Sequence, residues 1–267
     1  MSSPSEWLTL VRWRNALLAG AGVFAGAWWS GGQVSVRVGA VILAALALTA
    51  VANTTNDVAD VSIDRLAHPE RPVASGAISP ESARRFAVIC SGLAVVLAAV
   101  VTWWLAVLTV IVVAIMWVYS SRLKPRGIPG NVAVAVLGSL PFLYGAAAVD
   151  ELAKGMLLVA IGTPLHFARE VAKDVEDATA DAATRRTLPV TRGRQTARAA
   201  VVAGVAAYAL VVALLTTAYP LFALLLVPTI FLAILAVRRL YRDRAGTAAL
   251  LKAAMVLAIA ALVISAR

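Results

Sequence analysis

Long stretches without a charged side chain constrain this chain more than any other feature. Residues 15–36 and 38–56 contain no Asp, Glu, Lys or Arg, residues 86–121 contain none over 36 positions, and residues 199–237 contain none over 39. A helix needs about 20 predominantly apolar residues to cross roughly 30 Å of hydrocarbon, so repeated crossing of a membrane is expected. Composition agrees: 61% of the residues are hydrophobic and 14% charged, against roughly 45–50% and about 25% in soluble domains. The sequence predicts an all-α polytopic membrane protein with nine transmembrane helices. Spans one and two are residues 15–36 and 38–56, and residues 86–121 form a hairpin of spans three and four broken at Thr102-Trp103-Trp104. Residues 127–149 and 155–173 are the fifth and sixth, 199–237 split at Tyr219-Pro220 into the seventh and eighth, and 246–266 form the ninth. Glu6, Arg12 and Arg14 precede the first span and no small-residue cleavage site follows it, so it is expected to be retained.

The formal net charge of +10 is explained by topology without a nucleic-acid partner. Of the 24 Lys and Arg residues, 20 fall on one side of the predicted spans, 3 (Arg37, Lys154, Arg267) fall on the other, and Lys252 lies in the first turns of the last helix. Basic residues accumulate in cytoplasmic loops, so the expected place is the cell membrane, with the N-terminus and the polar loops cytoplasmic and the C-terminus outside. The single cysteine, Cys90, lies inside an apolar run and can form no internal disulfide.

The acidic residues are distributed differently. Of 14 Asp and Glu, three are Asp57, Asp60 and Asp64, and five lie between Glu170 and Asp181. The segments NDVADVSID and KDVEDATAD each carry Asp at i, i+3 and i+7, as Asp57, Asp60, Asp64 and Asp174, Asp177, Asp181. On a helix these offsets share one face, where like charges repel by a few tenths of a kcal/mol per pair. A cation is expected to offset that repulsion. Hard carboxylate oxygens suit Mg²⁺, which is held by one or two carboxylates together with substrate phosphates.

The two segments stand in register at an offset of 117 residues, which carries Pro72 onto Pro189, Val73 onto Val190 and Gly76 onto Gly193 as well. A single domain, 1–267, is expected, built from parallel pseudo-repeats of about 10–120 and 127–237 plus the ninth helix. Two similar arms would then face one cavity. Asn53 is replaced by Glu170 and Asn56 by Lys173 in the second copy, so the arms would grip one ligand asymmetrically. Gly162 and Pro164 predict a break in the sixth span just before Arg169.

At these residues the sequence resembles the UbiA-type intramembrane prenyltransferases. NDVADVSIDRLAHPERPVASGAIS at 56–79 resembles the family's first motif, and REVAKDVEDATADAATRRTLPV at 169–190 its second. The resemblance implies a bundle around a central cavity, capped by the motif loops. It implies that Asn53, Asp57, Asp60, Asp64, Asp174, Asp177 and Asp181 hold Mg²⁺ and a prenyl diphosphate. YSSRLK at 119–124 is similar to a family segment that places Tyr119 and Lys124 near the diphosphate, and LVRWRN at 10–15 to the family's Arg and Asn, here Arg12 and Asn15, with Trp13 where proline is usual. Within the superfamily the second motif looks most like that of digeranylgeranylglyceryl phosphate synthases, with Ala180 in place of a glycine. The implied reaction is Mg²⁺-dependent transfer of a geranylgeranyl group to the glycerol hydroxyl of geranylgeranylglyceryl phosphate. The first motif also resembles chlorophyll synthases and quinone enzymes, whose acceptors are chlorophyllide or aromatic.

In that chemistry an allylic C–O bond breaks, and negative charge grows on the departing pyrophosphate. Lys173, Lys124 and Arg71 are the expected fixed donors, Asn56 lies among the diphosphate residues, and Arg12, Arg122 and Arg169 are candidates for the acceptor's phosphate. His166, three residues before Arg169, is a candidate pocket residue, and His68 reads as a solvated loop residue. A transporter is the main competing class, but transporter charges gather near the bilayer midplane, and these gather at one rim.

Overall fold

The computed structural model describes residues 3–120, 127–181 and 186–266, with Ala180 and Asp181 described for their backbone only. Among the described residues all regular structure is helical: α1 (Pro4–Val11), α2 (Trp13–Trp29), α3 (Val36–Ala59), α4 (Val61–Ala67), α5 (Pro80–Ala99), α6 (Trp103–Val118), α7 (Ile128–Ala147), α8 (Leu152–Asp181), α9 (Leu188–Leu214), α10 (Pro220–Tyr241) and α11 (Thr247–Ser265). Six of these, α3, α5, α7, α9, α10 and α11, are long and apolar enough to cross a membrane. The remaining three at expected spans differ in kind. Helix α2 has 17 residues and α6 has 16, while α8 runs for 30 from apolar sequence into the second acidic motif.

Helix starts follow from local chemistry. Ser3 and Glu6 form a reciprocal capping box at α1. Ser79 accepts from the Ser82 amide at 3.1 Å ahead of Pro80, and Thr102 accepts from the Leu105 amide at 3.2 Å, which starts the second helix of the predicted hairpin at the expected break. The first span stops earlier than the charge pattern suggests: α2 ends at Trp29, and Gly31 turns the chain with a φ of 90° that glycine alone adopts without strain.

The sixth span is not broken. Helix α8 continues through Gly162 and Pro164, and these residues serve close packing instead. A Cβ at Gly162 would come within 3.0 Å of the Ser139 hydroxyl on α7, and the Pro164 carbonyl lies 3.0 Å from where a Cβ would stand on Gly204 of α9. Proline removes one helical hydrogen bond, and packing on both sides holds the helix through it.

Among the described residues two large apolar cores form. One gathers α8 to α11 around Leu165, Val201, Leu226 and Leu251, and the other gathers α2, α3, α5 and α6 around Val41, Val51, Leu105 and Val112. Helices α2 and α7 join them, since Ala25 and Trp29 of α2 belong to the first core and Tyr144 and Ala147 of α7 to the second. Their contact is backbone to backbone: a Cβ on Gly26 would collide with the Phe142 carbonyl, and one on Gly145 with the Val23 carbonyl. Buried tyrosines pin each core, Tyr144 to Thr109 at 2.8 Å and Tyr208 to Thr229 at 2.6 Å. On the outside, α10 exposes Leu221, Leu224, Val227, Phe231 and Ile234 along one stripe, a surface suited to lipid.

The two ends of the bundle differ in charge. At one, Arg37 donates to both Asp150 oxygens at 2.6 and 2.8 Å, which holds that carboxyl below its ordinary range, and Lys154 donates to the Ser30 carbonyl at 3.2 Å. The acidic motifs lie at the other.

Candidate active site

The first arm is built on the C-terminal end of α3. The aspartates do not share one unbroken helix as their spacing suggests: Asp57 lies in α3, Asp60 is the junction residue with φ −93° and ψ 6°, and Asp64 lies in α4. All three are buried. Asp57 accepts from Arg12 Nη2 at 2.8 Å, with the Asp57 side chain 3% exposed and that of Arg12 35%. One turn earlier, Asn53 Nδ2 donates to the Val11 carbonyl at 2.9 Å. Two turns of α3 thus hold the junction between α1 and α2, where Arg12 takes a left-handed φ of 51°.

Arg71 Nη1 donates to both oxygens of Asp64, at 2.8 and 2.7 Å, and its side chain is 28% exposed. The loop that presents Arg71 is fixed by the Ser75 amide on the Arg71 carbonyl at 2.8 Å and the Ile78 amide on the Pro72 carbonyl at 2.9 Å. Val73 and Ile78 of this loop pack with Leu10 and Ala83 in a small core of their own, and Trp7 lies 5.0 Å from Phe86. Helix α1 and the motif loop therefore form one cap over the arm. Asn56 Oδ1 accepts from the Ser120 hydroxyl at 2.8 Å, which ties α3 to the π turn at Tyr119–Ser120, where Tyr119 is half-buried.

The second arm is the last three turns of α8. Asp174 Oδ2 accepts from Asn131 Nδ2 of α7 at 2.9 Å, Asp177 is half-buried and Lys173 exposed. Arg169 pairs with its neighbour Glu170, so neither offers a free charge in this arrangement. Glu176 turns away from the aspartates and accepts from the Thr247 and Ala248 amides at 2.6 and 3.3 Å, at the start of α11. Lys252, one turn further along α11, donates to Asn15 Oδ1 of α2 at 3.0 Å. His166 lies against Gly138 of α7, where a Cβ would stand 2.6 Å from Nδ1.

These contacts run in series from Asp57 through Arg12, α2, Asn15, Lys252 and the start of α11 to Glu176, so both arms occupy the same end of the bundle. Of the expected site residues, Arg122 and Lys124 lie outside the described residues, as does the Asp181 side chain. The His68 side chain is half exposed and lies 3.4 Å from Glu70, while its backbone amide donates to the Asp64 carbonyl at 2.8 Å. Three residues of this end escape sequence reasoning: Asn131, Ser120 and Glu176. Asn131 had a signal, since Gly130-Asn131 opens α7 as Arg14-Asn15 opens α2.

The donor set suits Mg²⁺ of one particular kind. The arms offer hard carboxylate oxygens, but among the described residues no three acidic, His or Cys side chains converge into a ready-made cage. That matches a metal held by one or two carboxylates and completed by substrate phosphates.

Residues 18–263 match the family model of the UbiA prenyltransferase family. The chain belongs to that family. A digeranylgeranylglyceryl phosphate synthase from Halobacterium salinarum is 38% identical over 261 residues, which cover 96% of this chain and 95% of that protein. A solved digeranylgeranylglyceryl phosphate synthase structure superposes with a TM-score of 0.81 at 23% identity, covering 98% of both chains. A UbiA homolog from Archaeoglobus fulgidus bound to GPP and Mg²⁺ gives a TM-score of 0.77 at 18% identity over 98% of both. The UbiA chain described here is a multi-pass membrane prenyltransferase.

Proposed function

We propose that this UbiA enzyme transfers a geranylgeranyl group from its diphosphate to the glycerol hydroxyl of geranylgeranylglyceryl phosphate, the step that completes the two hydrocarbon chains of an ether lipid. The observation that carries the reading is the meeting of both acidic arms at one end of an apolar bundle, in a chain 38% identical over 96% of its length to a protein named for that product. Mg²⁺, when bound by Asp57, Asp60, Asp64, Asp174, Asp177 and Asp181, supplies the Lewis acidity that neutralises charge on the leaving pyrophosphate.

The protein's own residues do the rest. Asn131 fixes the Asp174 carboxylate by its 2.9 Å bond, as Arg12 fixes Asp57, so the two arms are oriented before the diphosphate arrives. Lys173, Lys124 and Arg71 donate to the diphosphate, with Asn53, Asn56 and Tyr119 around it. Arg169, Arg122 and Arg12, with Asn15 and His166, line the approach of the acceptor phosphate. The apolar helices hold the isoprenoid tail and keep water from capturing the allylic cation, so that the acceptor hydroxyl captures it instead, forming the ether C–O bond and giving up its proton.

The same reading includes nine crossings, with α2, α6 and α8 joining the six longer helices, and a parallel duplication. Supporting the duplication, Gly76 and Gly193, equivalent at the 117-residue offset, turn at φ 82° and 83°. The rim of the arms faces the cytoplasm, since the basic residues gather with it, Arg194 and Arg198 on Asp243 among them. Purified protein given geranylgeranyl diphosphate, Mg²⁺ and geranylgeranylglyceryl phosphate is expected to release pyrophosphate and form the doubly alkylated lipid. Alkylation of a dihydroxynaphthoate, 4-hydroxybenzoate or a chlorophyllide alone would refute the acceptor.

A further inference from the structure

Asp57 and Asp64 are nearly sealed from solvent, with side chains 3% exposed, and each already holds a guanidinium. The two arginines come from outside the acidic motif's helices, one from the α1–α2 junction and one from the capping loop, and each keeps about a third of its surface open. The grip differs. Arg12 donates to one oxygen of Asp57, whereas Arg71 spans both oxygens of Asp64. A divalent metal on Asp64 must share its oxygens with a guanidinium nitrogen that already lies 2.7–2.8 Å from both of them, and two cations held on one carboxylate repel strongly where water is scarce. A guanidinium set free there would meet the group it fits best, since its planar fork matches phosphate oxygens.

We propose that Arg71, and Arg12 to a lesser degree, are internal counter-ions that compete with the divalent metal for Asp64 and Asp57, and that Arg71 moves onto the diphosphate when it arrives. The inference rests on the prenyltransferase reading and adds an order to it: metal and diphosphate bind together, because Arg71 withholds Asp64 from the metal alone. Arg71 thereby has two successive partners, a carboxylate and then a phosphate. Competition also keeps three buried carboxylates from standing uncompensated, which a protein interior tolerates poorly.

The test measures Mn²⁺ binding to the full-length chain in detergent by electron paramagnetic resonance, with no diphosphate present. Arg71→Gln is expected to bind Mn²⁺ about tenfold more tightly than the unsubstituted protein, because removing the competing charge frees a buried carboxylate. Arg12→Gln should gain less, and in the presence of Mn²⁺ Arg71→Gln should bind inorganic pyrophosphate several-fold more weakly. Unchanged or weaker Mn²⁺ binding by Arg71→Gln overturns the proposal. Should that variant fail to fold, Arg71→Lys decides: its ammonium cannot span both oxygens in the same way, so Mn²⁺ affinity should rise part-way, and no rise overturns the proposal equally. Prenyl transfer measured on the unsubstituted preparation separates the two readings. Turnover without tighter Mn²⁺ binding in the variants removes the counter-ion exchange alone, and tighter binding without turnover removes the assigned reaction alone.

Discussion

Glu176 sits inside the second acidic motif, yet the structure uses it to start the last helix. Helix α11 begins after Gly246, at φ 89°, with no side-chain cap of its own, and Glu176 Oε1 takes the first two amides at 2.6 and 3.3 Å. Losing an N-terminal cap costs about 0.5–2 kcal/mol, and a carboxylate at a helix N-terminus adds about 0.3–1 kcal/mol. Glu176 is largely exposed, so the lower half of these ranges applies, and Glu176→Ala is expected to destabilise by about 1–2 kcal/mol. Glu176→Gln keeps the acceptor and loses only the charge, at roughly a third to a half of that. At about 2–4 °C per kcal/mol for a chain of this size, thermal unfolding in detergent should show midpoints lower by about 2–8 °C for alanine and by less for glutamine. The Mg²⁺ concentration that half-saturates turnover should stay the same in both. An unshifted midpoint together with a several-fold higher Mg²⁺ requirement would show that Glu176 is a metal ligand and that the cap is incidental.

Three further outcomes follow from the packing and the arms. Gly145→Ala places a Cβ against the Val23 carbonyl, which no rotamer change relieves, and should cost at least about 1–3 kcal/mol, read as a lower yield of monodisperse protein and a lower unfolding midpoint. Asp57→Ala and Asp174→Ala should each lower kcat by about 10²-fold or more, measured by radiolabelled prenyl transfer on protein of confirmed monodispersity; intact turnover would remove any need for the carboxylates. Asn131→Ala strips Asp174 of its 2.9 Å donor and should reduce kcat about tenfold through loss of orientation, with unfolding midpoint and acceptor KM little changed.

Much of the fold can be read from charge-free runs because lipid permits few alternatives to a helix. The turn at Thr102 and the start at Pro220 are written locally, as a capping threonine and a proline at the first helical position. Local signals mislead at Gly162 and Pro164, where a breaker's usual meaning is overridden by neighbouring helices that need the space. Helix α1 carried a readable signal in the Ser3–Glu6 capping box, masked by the stronger span behind it. At the site, spacing identifies the carboxylates but not what each one touches. Arg12 on Asp57 spans 45 residues and Asn131 on Asp174 spans 43, contacts that arise from packing α2 on α3 and α7 on α8 and leave no periodic trace.

The most direct test gives one detergent-solubilised preparation labelled geranylgeranyl diphosphate and, in parallel, geranylgeranylglyceryl phosphate, 4-hydroxybenzoate, a dihydroxynaphthoate and a chlorophyllide, each with Mg²⁺ and with chelator. The account predicts labelled digeranylgeranylglyceryl phosphate from the first acceptor alone, abolished by chelator and by Asp174→Ala. Label transferred only to an aromatic acceptor or a chlorophyllide, or transfer that survives the chelator, would contradict it.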